Sequence, residues 1–146
     1  PGRVIVQTYD PEHYGIRMAA RGDYRAFYMQ EAQARKRGLY PPFTILARLL
    51  VSDADEAEAK RVAEELAEEL NRFLDDDPEC RGDTVQMRAL EAPIKRIRGE
   101  ARWEVFIKLY ARASAWRTLA HMEFLERSHP GGRARVALEI NPASMM

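Results

Sequence analysis

The chain has very little cysteine. Cys80 is its one cysteine in 146 residues, which excludes an internal disulfide and a cysteine-rich zinc cluster. The sequence contains neither an apolar run of the roughly 18 residues that a membrane span needs nor a basic-plus-apolar signal segment. We therefore expect a soluble domain from a reducing, cytoplasmic compartment, with Cys80 as a buried or incidental thiol.

Sequence signatures of catalysis are missing as well. There is no phosphate loop of the form G-x-x-x-x-G-K-[ST]. The three histidines, His13, His121 and His129, lie far apart without the spacing of metal ligands. Ser114 and Ser144 have no evident base partner. The sequence thus predicts no catalytic residue, metal or cofactor within this chain.

The charges of the chain balance but are segregated along it. Residues 53–79 carry twelve acids against three bases, whereas residues 81–135 carry twelve bases against six acids. The acidic stretch is typical of a solvated helix face. The basic half is more informative, because local positive potential attracts phosphate even when net charge is zero.

Hydrophobic periodicity from Thr44 onward predicts an α+β fold. Alternating apolar residues predict four strands, led by Ile45, Val85, Trp103 and Ala134. A helix capped by Ser52-Asp53 and running to about Leu74 follows the first strand, and a second helix capped by Ser114 follows the third. The turn before the last strand is expected at residues 129–132. This βαββαβ order predicts a ferredoxin-like, four-stranded antiparallel sheet with both helices on one face.

The residues before this domain have a different pattern. Residues 3–8 alternate and are β-branched, so they predict a strand whose sheet partners are not in this sequence. A helix is predicted from a cap at Asp23 through Arg37, with Gly38 at its end. Pro41-Pro42 then forces an extended entry into the following domain. Because the chain begins at Pro1 rather than Met, we expect it to be a piece of a longer protein.

A basic segment between the second and third predicted strands is the main candidate site. Residues 92–101 read as a loop, and Lys95, Arg96, Arg98 and Arg102 lie within or beside it, opposed only by Glu100. One interpretation is a solvated connection whose cations pair with nearby acids. The other is a hairpin that contacts phosphate, for which the planar fork of arginine is well suited. Trp103 shares the parity of the apolar residues that follow, which favours packing in the core.

Several segments, in the right order, resemble one bacterial family. Residues 92–103 are similar to an A-P-x-x-R-x-x-G-x-x-R-W stretch of the PriA (primosomal protein N′) replication-restart DNA helicases. Residues 39–43 resemble the entry to the family's C-terminal domain, and residues 2–13 resemble the last strand of its second helicase lobe. Asn141-Pro142 stands where the family usually has Asp-Pro.

The resemblance implies a division of the chain and a set of partners. It implies a helicase-lobe strand at residues 1–13, a helical linker at 14–42, and at 43–146 a domain like that of ribosomal protein S10. The parent protein would be an ATP-dependent 3′-5′ DNA helicase that uses ATP, Mg and Zn, while this part would bind forked DNA, other primosome proteins and the C-terminal tail of the single-stranded-DNA-binding protein. Arg112 matches the position that would hold the tail's carboxylate. Trp116 stands where the family can have a polar contact.

Two other functions remain open from the residues alone. The strand and helix order is also that of RNA-recognition domains, which read bases with aromatics on their central strands. Phe106 and Tyr110 are placed to do so, but the usual glycine- and aromatic-rich run is missing. A structural or small-ligand regulatory domain of the same fold is the third possibility.

Overall fold

The computed structural model describes residues 2–129 and 134–142. It divides the chain into two compact units, Pro1–Leu39 and Tyr40–Met146. Residues 130–132 of the predicted turn lie outside the described residues, as do Ser144 and its neighbours at the C-terminus.

The first unit is a helical pair. Helices α1 (Tyr14–Arg21) and α2 (Tyr24–Arg37) are joined by Gly22, whose positive φ of 67° suits the tight connection. The Asp23 carboxylate accepts a hydrogen bond from the N–H of Ala26 at 3.0 Å, so α2 and its cap are confirmed. Helix α1 was not predicted, since it is short and contains a glycine.

Residues 3–8 were predicted as a strand whose sheet partners are not in this sequence. In this chain the segment has no strand conformation, and Val4 and Ile5 are 87% and 85% exposed. The cause is the absence of a partner: no other strand among the described residues pairs with this segment, and backbone groups without a ladder remain bonded to water. Its β-branched residues favour a strand, but the described residues offer it no partner strand.

The second unit confirms the predicted ferredoxin-like α+β fold. Its sheet has the strand order β2-β3-β1-β4, and every neighbouring pair is antiparallel. Alternate residues of the strands pack on the helices, while the opposite face of the sheet, here called the open face, is not covered by them. In chain order the elements are β1 (Thr44–Asp53), α3 (Glu56–Asp76), α4 (Pro78–Asp83), β2 (Thr84–Ile97), β3 (Glu100–Tyr110), α5 (Ala115–Ser128) and β4 (Arg135–Ile140).

The core between sheet and helices comes from the predicted apolar positions. Leu49, Val105 and Ile107 on the central strands are fully buried, as are Leu66 on α3 and Met122 on α5. Trp103 packs against this cluster from its edge, as its parity predicted, and the ammonium group of Lys60 lies 5.6 Å from the centre of its ring. Cys80 is buried within the core, as expected. Among the described residues no helix is both long and apolar enough to cross a membrane.

Three local predictions were wrong. The cap of α3 is Asp55 rather than Ser52-Asp53, because the Asp55 carboxylate accepts the N–H of Ala57 while Asp53 instead accepts the N–H of Asp55. The helix ends at Asp76, close to the predicted end near Leu74. Ser114 occupies the predicted N-cap position of α5, but its side chain makes no capping hydrogen bond, since its hydroxyl donates to Asp83.

The third error concerns the basic segment, residues 92–101. It is a hairpin rather than a loop, because β2 and β3 continue almost to its tip. The ladder is irregular between Glu91 and Arg96 and then resumes, with Arg96 opposite Ala101 and Ile97 opposite Glu100. Pro93 and the dense charges gave the segment the composition of a loop, while long-range pairing determined its structure.

Candidate nucleic-acid interface

The hairpin between β2 and β3 ends in a two-residue turn. Arg98 and Gly99 both have positive φ, at 52° and 88°. Such a pair is typical of the tight turns whose twist matches that of antiparallel strands. Gly99 therefore permits a tight turn, and the turn presents Arg98 at the tip of the hairpin.

Ser52 on β1 stands between two arginines of the neighbouring strands. It is opposite Arg102 on β3 and opposite Arg135 on β4. Residues opposite each other in antiparallel strands lie about 4.5–5.5 Å apart and project to the same face. The register of the sheet thus brings two guanidinium groups to the same end of the open face.

A groove of about 410 Å³ runs along that end of the open face. The Arg98 side chain at the hairpin tip joins Arg102 and Arg135 in lining it. Among the described residues neither Arg98 nor Arg135 forms an ion pair, while Arg102 Nη1 donates to the carbonyl of Ile94 at 3.3 Å. We call the groove that these three arginines line the arginine groove. Its remaining walls and floor are Leu50, Ser52, Ile97, Glu100, Ala137 and Glu139.

The middle of the open face is occupied by a buried ionic cluster. Arg48 Nη1 lies 3.0 Å from Glu104 Oε2, and its Nη2 lies 2.8 Å from Glu139 Oε2. The Arg48 and Glu104 side chains are only 7% and 4% exposed. The cluster joins one guanidinium to two carboxylates, so it offers no free cation to an incoming ligand.

The other two predicted cations of the hairpin lie outside the arginine groove. Lys95 pairs with Glu91 at 2.5 Å, and this hydrogen bond raises the pKa of the lysine. Arg96 donates from Nη2 to Glu56 at 3.2 Å and from Nη1 to the carbonyl of Gly99 at 3.0 Å. Arg96 shares the side of Ala101, which faces the helices. The structure thus splits the predicted set into two groove residues and two that pair with acids.

The predicted partner residues Arg112 and Trp116 have separate surroundings. Arg112 Nη1 lies 3.0 Å from the buried carboxylate of Asp83, and its guanidinium lies 5.1 Å from the centre of the Tyr110 ring. The arginine is nevertheless 65% exposed. Trp116 lines a different depression, between α5 and β4, which Arg112 does not line. The two residues do not form a single pocket among the described residues.

Sequence reasoning missed Arg135 as a member of the site. Arg135 directly follows Ala134 in the last predicted strand, so strand alternation places it on the face opposite the apolar residues. The missing information was the register that sets β4 beside β1 with Arg135 opposite Ser52. A consistent register of the four predicted strands would have brought Arg102 and Arg135 together.

Comparison with known proteins identifies similar chains. The family model described as the primosomal protein N C-terminal domain matches residues 36–143. The replication restart protein PriA of Bacillus subtilis is 33% identical over 147 residues, covering 100% of this chain and 18% of the relative. The protein of the same name from Borreliella burgdorferi is 31% identical over 102 residues, covering 70% and 14%. That of Thermotoga maritima is 31% identical over 107 residues, covering 73% and 13%. The chain therefore spans less than a fifth of the length of these relatives.

Proposed function

The chain belongs to the family of PriA C-terminal domains, found in replication restart proteins, and from this premise we propose that its arginine groove binds the phosphates of branched DNA. One observation carries the proposal: Arg98, Arg102 and Arg135 converge on one groove although they come from a turn and two separate strands. None of the three has an acidic partner among the described residues, since Arg102 donates only to the carbonyl of Ile94.

The chemistry of the groove favours backbone contact. A guanidinium donates two parallel hydrogen bonds to phosphate oxygens and stays charged at all relevant pH values. Three such groups on a rigid sheet can follow successive phosphates without contacting a base. Binding of this kind depends on salt and hardly on sequence, which suits a protein that acts at forks of any sequence.

The open face supports this function better than base reading of the RNA-recognition type. Phe106 does project from β3 on this face, opposite Arg48. However, Arg48, Glu104 and Glu139 fill the centre of the face with an ionic cluster. A stacking platform needs accessible aromatic faces there. RNA binding remains the outcome that the experiment below must distinguish.

The proposal includes the wider role of the parent protein. In it, the remainder of the longer chain supplies ATP-driven 3′-5′ unwinding, with Mg and a structural Zn, while this domain holds the fork and the other primosome proteins. Arg112 additionally contacts the C-terminal carboxylate of the single-stranded-DNA-binding protein. Its 65% exposure supports that role, although Asp83 already engages one of its nitrogens. Trp116 belongs to this partner site only if parts beyond this chain bring the two residues together.

Binding of labelled forked DNA by the 146-residue chain tests the proposal. Wild type should bind the fork, and Arg135→Ala should weaken binding about three- to tenfold, as expected for loss of one phosphate contact. Arg127→Ala is the matched control, because Arg127 is an exposed arginine on α5 paired with Glu123. An equal effect of the two substitutions, or preferential binding of a single-stranded RNA of the same length, would reject the proposal.

A further inference from the structure

The outer edge of the sheet at β4 has an unusual contact. In the order β2-β3-β1-β4, strand β4 pairs with β1, and no other strand of the described residues pairs with its outer edge. The N–H of Leu138 donates to Glu126 Oε1 at 2.8 Å rather than to β1. Alternation of hydrogen bonding then places the backbone groups of Val136 and Ile140 on the same outward edge.

Glu126 therefore covers one position of an otherwise open edge. Unpaired edge strands tend to bind other extended chains, and proteins often protect them with charged side chains. Here the protection is reversible, because a carboxylate on a helix substitutes for the carbonyl that a neighbouring strand would supply. An incoming strand can take over the Leu138 N–H and release Glu126.

An apolar depression lies directly beside this edge. It has a volume of about 450 Å³, and Trp116, Ala120, Leu138 and Ile140 line it together with Glu123 and Glu126. Trp116 and Ile140 are 63% and 43% exposed, which is high for residues of this size in a domain with a packed core. In a strand added to β4, every second side chain would point toward this depression.

The charges at the rim indicate which kind of peptide fits. Glu123 is paired with Arg127 at 2.5 Å, whereas Glu126 forms no ion pair among the described residues. Release of Glu126 from Leu138 would leave a carboxylate beside an apolar depression, where a lysine or arginine of the incoming strand could pair with it. An acidic peptide would meet repulsion at the same place.

We propose that the β4 edge is a docking site for an extended peptide that carries an apolar and a basic residue two positions apart, so that both side chains face the depression. The peptide adds as a fifth strand beside β4 and inserts an apolar side chain between Trp116 and Ile140. Its cation replaces the Leu138 N–H as the partner of Glu126. This site lies on the helix-facing side of the sheet and is independent of the arginine groove, so either can exist without the other.

The test uses a fluorescent peptide of repeating Val-Thr-Lys-Thr with the 146-residue chain, because this spacing puts valine and lysine on the same face of the added strand. Two peptide controls separate the contributions: one has glutamate in place of lysine, and the other carries N-methyl groups that block strand pairing but keep the side chains. The proposal expects binding of the first peptide, with affinity at least about tenfold lower for both controls, on the scale of a lost hydrogen bond to a charged group.

Matched variants assign the binding to the edge. Glu126→Gln keeps an oxygen for the Leu138 N–H but loses the charge, so the fold is retained while affinity for the lysine peptide falls; Glu64→Gln, on the exposed side of α3, is its control. Trp116→Ala should weaken binding, and Phe124→Ala, a comparably exposed aromatic on the same helix, should not. Hydrogen exchange at the Leu138 amide should slow when the peptide binds.

Four results would overturn the proposal. They are equal binding of the N-methylated peptide, tighter binding of the glutamate peptide, absence of binding, and concentration-dependent self-association that protects Leu138 without any peptide. The last would identify a second copy of this chain as the occupant of the edge.

Discussion

Arg48 and Glu104 form an ion pair at 3.0 Å beneath the open face, with 7% and 4% of their side chains exposed. Breaking a buried pair leaves an uncompensated charge, which costs about 3–5 kcal/mol of unfolding free energy. We predict a loss of this size for Arg48→Ala, because Glu104 then stays buried without its partner. Glu104→Ala should cost less, because Arg48 retains Glu139 at 2.8 Å.

The double substitution Arg48→Met with Glu104→Leu provides the control. Replacing both charges with apolar groups of similar size is often nearly neutral, so the double variant should be more stable than Arg48→Ala. Urea denaturation of the four proteins measures the difference. A double variant as unstable as Arg48→Ala would show that the pair contributes through packing rather than charge.

We predict that the folding stability depends on pH through His121. Its ring stacks on Phe73 with centroids 4.1 Å apart, and burial lowers its pKa below the ordinary value near 6.5. Because the unfolded chain takes up the proton at higher pH than the folded chain, stability falls as the pH drops from about 6.5 through the folded-state pKa. His121→Phe should reduce this fall.

Thermal unfolding at pH 7.5 and at pH 5.5 measures the effect. His13→Asn is the control, since His13 lies at the exposed start of α1 and Asn can accept the same capping hydrogen bond. The difference between the two pH values should shrink in His121→Phe and persist in His13→Asn. An unchanged difference in both variants would assign the pH dependence to other groups.

We predict that Arg112 contacts the acidic C-terminal tail of the single-stranded-DNA-binding protein. Its guanidinium is held at one nitrogen by Asp83 and remains 65% exposed. Arg112→Ala should weaken binding of the tail peptide of the single-stranded-DNA-binding protein by about 1.5–3 kcal/mol, the scale of a hydrogen bond to a charged group. Isothermal titration with the full-length parent protein is the appropriate measurement, and a peptide lacking its terminal carboxylate charge is the control.

A loss of tail-peptide affinity can be distinguished from a loss of folding stability. Arg112→Lys keeps a positive charge beside Asp83 and should retain more affinity than alanine. The thermal unfolding midpoint of each variant shows whether loss of the ion pair with Asp83 destabilises the fold. Equal affinity of wild type and Arg112→Ala for the tail would remove Arg112 from the partner site.

Much of the fold followed from periodicity, because apolar alternation reports which face of a strand is buried. Ile45 to Val51 and Trp103 to Leu109 have an apolar residue at every second position, and both segments are central strands with buried partners. The hairpin did not follow, because Pro93, Gly99 and four cations resemble a loop when pairing across the sheet is unknown. The six-residue helix α4 is too short to leave a periodic signal.

Only part of the arginine groove could be predicted from the sequence, because the pairing of the strands was again unknown. Residues 92–102 identified a basic segment, but their strand parity decides that Arg102 faces the groove and Arg96 faces the helices. Arg135 joins the groove through a partner strand that is distant in sequence. Composition therefore located the charges, while tertiary register determined which of them act together.

The salt dependence of DNA binding tests the arginine groove most directly. Two double variants of the same hairpin remove equal charge: Arg98→Ala with Arg102→Ala changes the groove, and Lys95→Ala with Arg96→Ala changes the cations already paired with Glu91 and Glu56. Each lost phosphate contact lowers the slope of log affinity against log salt by about 0.9 on duplex DNA. We predict that this slope decreases by about 1.8 in the first variant and changes little in the second. Equal slopes in the two variants would contradict this prediction.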